Sequence, residues 1–429
     1  MINTFVSLFK NKETRTKILF TLAMLFVYRL GSSIPAPGVD ASLISSSIQD
    51  NSVLNMMNLL GGGALQQMSI FSLGVGPYIT SSIIIQLLSM DVIPPLSELA
   101  KSGQQGRQKL DKITRYLAIV LSFIQAFSLV YMFDHQQLPI LENGGFATYL
   151  YIATVFTAGS VFLLWIADQI TTKGIGNGVS LIIFAGIVAE IPFQFVQVFN
   201  ILVDMENKTA MINGLIMFAL YIAMYVAIIV LVIFMEMAQR KIPVQYTSSS
   251  HAQGAKNLTY LPLKINSASV IPVIFANSVL MAPQMILTFF PSNQFLRKLS
   301  EVLSFQKPFG LVLYGVLIVF FTFMYTNMQI DPEKIAENLG KSGTYIPGIR
   351  PGKETKEYVS KVLNRITVLG ALFLLVVAMI PYILPLITNL PSSVALGGTG
   401  IIIVVGVAME TLSQLKAQLT QKNYRGFLR

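Results

Sequence analysis

The sequence predicts an all-α polytopic membrane protein, and three observations carry that prediction. Hydrophobic residues make up 53% of the 429-residue chain, charged residues only 12%, and mean hydropathy is +0.64; a globular domain carries about 25% charged residues. Apolar runs of spanning length, roughly 20 residues, recur along the whole chain. Lys and Arg gather in alternate connections between those runs, the asymmetry that orients a polytopic protein.

Ten transmembrane helices are expected, at about 17–35, 75–91, 113–133, 148–171, 178–199, 212–238, 267–290, 308–329, 366–387 and 398–415. The first follows a basic stretch (Lys10, Lys12, Arg15, Lys17) but ends in Arg29 and a Pro35-Ala36-Pro37-Gly38 turn without a small-residue cleavage pattern, so it reads as a retained span. The second is too short alone. It is preceded by Gly61–Leu73, in which three glycines open a short amphipathic piece, and Gly74, Gly76 and Pro77 interrupt the backbone before an isoleucine-rich run. Lipid cannot solvate a broken helix, so irregular backbone at membrane depth must be covered by protein or line a water-filled cavity. Gly174–Gly178 joins spans four and five; it lacks the preceding strand and following acidic residue of a dinucleotide loop. Span six leads into a loop at 239–265 with Arg240 and Lys241 at its base. Span eight leads into a loop at 331–365, where Pro-Gly pairs flank Ile349-Arg350 in a tight turn that displays one arginine.

Most of the 30 basic residues fall at the two termini and in the connections after spans two, four, six and eight. By the positive-inside rule both termini are cytoplasmic. Ten spans divide into a half at 1–205 and a half at 206–429. Five spans per half makes the halves opposite in orientation, the arithmetic of an inverted repeat with a pathway between its parts.

Several chemistries are excluded. The chain has no cysteine and only His135 and His251, so disulfides, thiolate sites and multi-histidine zinc sites cannot form within it. No GxxxxGK[ST] loop is present, and no metal or other cofactor is expected. Ionisable residues are scarce at depth: Asp168, Glu236 and Glu410 lie near span ends, and Glu190 lies late in span five, as an interface residue or as part of a proton or substrate relay. The spans instead pair isoleucines at i,i+4, Ile79 with Ile83 and Ile183 with Ile187, each pair sharing a helix face. Thr80, Ser81, Ser82 and Gln86 give the first of these helices a polar side. A secondary transporter with a broken helix competes with a channel on these grounds, but a transporter would place polar groups at a midplane site. A membrane enzyme lacks a nucleophile or metal constellation.

Motifs across nearly the whole length carry a resemblance: FVYRLGSSIPAPGVD (26–40), GVGPYITSSIIIQLL (74–88), KGIGNGVSLIIFAGIV (173–188), LPLKINSASVIPVIFANS (261–278), IPGIRPGKET (346–355) and GGTGIIIVV (397–405). In these the chain resembles the SecY family of protein-conducting channels. The resemblance implies two five-helix halves that open like a clamshell in the bacterial cytoplasmic membrane, passing secretory polypeptides across it and releasing membrane helices sideways into lipid. It implies a pore ring of Ile79, Ile83, Ile183, Ile187, Ile274 and Ile403. It also implies a short plug helix within Gly61–Leu73, comprising Ala64, Leu65, Gln66, Gln67, Met68, Ser69, Ile70 and Phe71. A lateral gate between spans two and seven would include Thr80, Gln86 and Asn277. Arg240, Lys241 and Arg350 would dock the SecA motor ATPase or the ribosome, and SecE and SecG would be companion subunits. The stretch Tyr246–Gly254 is less basic than in relatives, which implies weaker contact with ribosomal RNA phosphates there.

Overall fold

A computed structural model of the chain describes residues 12–39, 57–58, 61–90, 92–135, 145–203, 208–246, 259–287, 294–304, 307–387 and 392–426. The boundary between residues 205 and 206 and the weakly basic stretch after Tyr246 lie outside the described residues. In chain order the elements are α1 (Lys12–Ser32), α2 (Gly76–Leu88), α3 (Pro94–Lys101), α4 (Gln104–His135), α5 (Phe146–Lys173), α6 (Gly178–Leu202), α7 (Lys208–Met237), β1 (Gln239–Tyr246) and β2 (Thr259–Lys264). There follow α8 (Ile271–Leu287), α9 (Gln294–Leu303), α10 (Pro308–Gln329), α11 (Pro332–Lys341), β3 (Thr344–Tyr345), α12 (Lys353–Ile387) and α13 (Ser392–Gly426).

Each of the ten expected spans coincides with a helix: α1, α2, α4, α5, α6, α7, α8, α10, α12 and α13. Among the described residues seven of them are long and apolar enough to cross a membrane. The helix α2, with 13 residues, rises only about 20 Å at 1.5 Å per residue against a hydrocarbon core of about 30 Å. The irregular segment before it supplies the remaining depth. Local chemistry sets the helix ends. Asn177 caps α6, its side-chain oxygen accepting from the Val179 and Ser180 amides, so the Gly174–Gly178 connection is a helix-capping turn.

The two sets of five spans pack alike. In the first set the second helix (α2) packs on the third (α4), the third on the fourth (α5), the fourth on the fifth (α6), and the first (α1) on both fourth and fifth. The same pairings recur among α7, α8, α10, α12 and α13. The sets meet through α6 with α13 and α7 on one side, and through α8 with α2 and α4 on the other. One large buried cluster runs through both sets. The sequence reading did not anticipate that the two long loops join each other. β1 pairs antiparallel with β2 of its own loop and with β3 of the other, giving the sheet order β2-β1-β3. Its apolar side packs on α12, with Ile242, Val244, Leu263, Ile346, Val359, Leu363 and Ile366 forming a separate small core.

Candidate functional site

Residues 61–75 are a succession of turns, so the short helix expected within Gly61–Leu73 is not formed. The reason is local competition for backbone groups. The Ser72 hydroxyl donates to the Ala64 and Ser69 carbonyls at 3.2 and 2.5 Å, and Ser69 Oγ accepts from the Phe71 amide. The Ala36 amide donates to the Met68 carbonyl at 2.8 Å and the Ile70 amide to the Ile34 carbonyl at 3.1 Å, so the Pro-Ala-Pro turn takes groups that a helix would need. Gly62, Gly63 and Gly74 bracket the segment at φ +67°, +80° and +56°, a region open to glycine at little steric cost.

Four spans cradle this segment. From α1, the Tyr28 hydroxyl donates to the Gly61 carbonyl at 3.0 Å, and Arg29 Nη1 donates to the Gly62 carbonyl at 2.5 Å. From α5, the Ser160 hydroxyl donates to the Gly74 carbonyl at 3.0 Å. The Phe71 ring stacks between Tyr28 and Phe162, at centroid distances of 6.3 and 6.1 Å. Its edge fills the notch left by Gly31: a Cβ there would stand 2.1 Å from Phe71 Cε2. From α6, Gly186 admits Gly62 against its backbone, and the Glu190 carboxylate abuts Gly63. Leu65, Met68 and Leu73 are buried with Leu129 and Phe133 of α4 and Phe156 of α5. Burying such side chains contributes roughly 1.5–3 kcal/mol each.

The six isoleucines belong to the same buried core. Ile79 and Ile83 of α2, Ile183 and Ile187 of α6, Ile274 of α8 and Ile403 of α13 all lie in one buried cluster, which also takes in Ala64 and Phe71 of the turn segment. None is more than 7% exposed, so no open passage runs between them. The six come from α2 and α6 of one set and α8 and α13 of the other, the helices through which the two sets meet.

Thr80, Gln86 and Asn277 do not form one polar contact. Thr80 donates to the Gly76 carbonyl and Gln86 Nε2 to Ser82 Oγ, both within α2. Asn277 is 1% exposed, and its amide lies beside the Tyr314 hydroxyl of α10, on its own side of the α2/α8 seam. Arg240 and Lys241 are exposed on β1, and Arg350 is exposed on the turn after β3. That turn is held by its own side chains. Thr355 Oγ1 donates to the Arg350 carbonyl at 2.9 Å, the Arg350 amide donates to Glu354 Oε2 at 3.3 Å, and Gly348 and Gly352 adopt φ +81° and +100°. Tyr345 donates to Gln245 across the β1/β3 pair at 3.1 Å. The three cations thus belong to one body built from both loops.

The SecY family profile matches residues 69–412. The chain belongs to the SecY family. It is 43% identical to the protein translocase subunit SecY of Staphylococcus carnosus over 433 residues, covering 100% of this chain and 99% of that one. It is equally similar to the protein of that name from Staphylococcus aureus, over 429 residues. Its fold is similar to that of a solved protein-conducting channel (TM-score 0.66, 19% identity, 94% and 92% of the two chains covered). It is also similar to Sec61 in a canine ribosome–channel complex (TM-score 0.63, 18% identity, 94% and 92% covered).

Within this SecY-family chain, sequence reasoning missed the residues that seat the turn segment. Arg29 reads only as the end of span one, and neither Tyr28 nor Gly186 stands out in the sequence. The available signal was the match between a triglycine and a glycine one turn before Glu190 in span five, which a contact between two backbones requires.

Proposed function

We propose that the chain is the pore subunit of a protein translocase in the bacterial cytoplasmic membrane, with both termini cytoplasmic. Unfolded polypeptides pass between the halves 1–205 and 206–429 through the ring of Ile79, Ile83, Ile183, Ile187, Ile274 and Ile403. Segment 61–73 is the plug that closes the resting pore. Membrane helices leave sideways where α2 and α8 part, at the lateral gate that carries Thr80, Gln86 and Asn277. The chain does no covalent chemistry. SecA or the ribosome, docked on Arg240, Lys241 and Arg350, supplies the energy, and SecE and SecG are its companion subunits.

The observation that supports this reading is that six isoleucines from both sets of spans share one buried cluster with Ala64 and Phe71 of an irregular, glycine-bracketed segment. A passage for polypeptides of any sequence should offer no fixed charge or hydrogen bond. Apolar constrictions gate by dewetting, and β-branched side chains are stiff at χ1, so the ring seals around a moving chain. A transporter site would instead gather polar groups at this level. The test is crosslinking of an arrested secretory chain to cysteines introduced singly at Ile83 and Ile274 in the otherwise cysteine-free protein. Crosslinks at both positions are expected. Crosslinks at neither, from a chain arrested in transit, would overturn the pore assignment.

A further inference from the structure

We infer that Arg29 and Glu190 are positioning residues that latch the Gly61–Gly63 turn in its closed seat, with Tyr28 as a second donor; the inference rests on reading segment 61–73 as the plug. The turn is gripped from two sides. On the α1 side, adjacent residues hold adjacent carbonyls: the Tyr28 hydroxyl donates to Gly61 at 3.0 Å and the Arg29 guanidinium to Gly62 at 2.5 Å. On the α6 side, residues four apart share one helix face and meet the next glycines. A Cβ on Gly62 would lie 2.5 Å from the Gly186 Cα, and one on Gly63 would lie 2.0 Å from Glu190 Oε1. Arg29 and Glu190 thus stand on two sides of the same three residues.

Each feature has a physical reason. Carbonyls of a turn have no ladder partner, and buried ones must be paired. The donor at Gly62 is charged, which roughly doubles the strength of a hydrogen bond. A guanidinium alone at the mouth of a polypeptide pathway would bind passing carboxylates; the Glu190 carboxyl across the turn competes with them for it. When the plug leaves, Gly62 withdraws its carbonyl and the Glu190 carboxylate is freed of Gly63. Cation and anion then have each other. The pair has one set of partners with the plug seated and another with it displaced, which makes the turn a two-position catch.

The test uses membrane vesicles carrying the full chain with Ala64→Cys as its only cysteine; Ala64 is 0% exposed when the segment is seated. Labelling by a membrane-impermeant maleimide reads how often the plug leaves. Arg29→Gln should speed labelling about tenfold, the change expected for losing a hydrogen bond to a charged donor. Arg29→Lys should recover part of the protection. Tyr28→Phe, which keeps the ring stacking on Phe71, should speed labelling by a smaller factor, and Glu190→Gln should also speed it. The double variant Arg29→Gln/Glu190→Gln should label no faster than Arg29→Gln alone, because the two act as a unit. Unchanged labelling in all the single variants would overturn the latch, and so would fully multiplied effects in the double variant. Resting ion conductance separates this from the plug reading. If deletion of Ala64–Phe71 leaks while Arg29→Gln stays tight, the latch fails and the plug stands. If the deletion itself does not leak, the plug reading fails.

Discussion

Gly62 and Gly186 touch backbone to backbone, so that a side chain on either would have to displace the other. A Cβ on Gly186 would stand 3.0 Å from the Tyr28 hydroxyl and 3.1 Å from the Gly62 Cα. Gly186→Ala therefore intrudes on the hinge of the turn segment itself. Overpacking of this kind costs about 1–3 kcal/mol, and it falls on the seated position alone. Resting ion efflux from vesicles carrying Gly186→Ala should exceed that of the parent. Equal efflux would mean that the segment shifts without unsealing.

Asn277→Leu removes a buried amide from beside Tyr314 and keeps the side-chain volume. Amides between membrane helices contribute about 0.6–2 kcal/mol; here the neighbouring helix is α10, so the loss reaches the α2/α8 seam through the seating of α8. Selectivity toward defective signal sequences, measured in a secretion assay, should change, as should the ease of channel opening. If both remain unaltered, Asn277 serves packing only.

Arg350→Glu reverses the charge displayed on a turn whose shape comes from Gly348, Gly352, Glu354 and Thr355. The protein should assemble in the membrane in normal amount and lose transport driven by SecA or the ribosome. Normal translocation by this variant would remove Arg350 from the docking surface.

Leu363→Ala opens a cavity under the sheet, where Leu363 is 1% exposed among Ile242, Val244 and Val359. Such truncations cost about 2–5 kcal/mol. Protease should then cut more readily between β1 and β2. Unchanged cleavage would show that the sheet is held by its strands without the α12 surface.

The spans were legible because hydropathy must run the length of each crossing, and every expected run found its helix. Of the six isoleucines of the proposed ring, four stand out by i,i+4 spacing, Ile79/Ile83 and Ile183/Ile187, while Ile274 and Ile403 sit in apolar runs and are marked by family motifs alone. The turn segment was legible as a break in the helix, and its conformation was not. The helix expected there lost to hydroxyls of Ser69 and Ser72 and to pairing with Ile34 and Ala36, distant in sequence. Glu190 read as an interface residue, with a relay as the lesser alternative, because its neighbour, Gly63, offers no side chain to signal the contact. The β1/β3 pairing was hidden for a related reason. A two-residue strand such as Thr344-Tyr345 has too little alternation to announce itself, and its partner lies about 100 residues earlier.

That pairing has a mechanical consequence. Both loops that build the sheet grow from the same five spans: β1 and β2 lie between α7 and α8, and β3 between α10 and α12. The sheet is therefore a handle mounted on one set of spans. Under the proposed opening, a body that gripped it would hold that set and leave the other to swing. Force applied there would reach α12 through the small core and pass by way of α10 to α8, whose far side is the seam with α2.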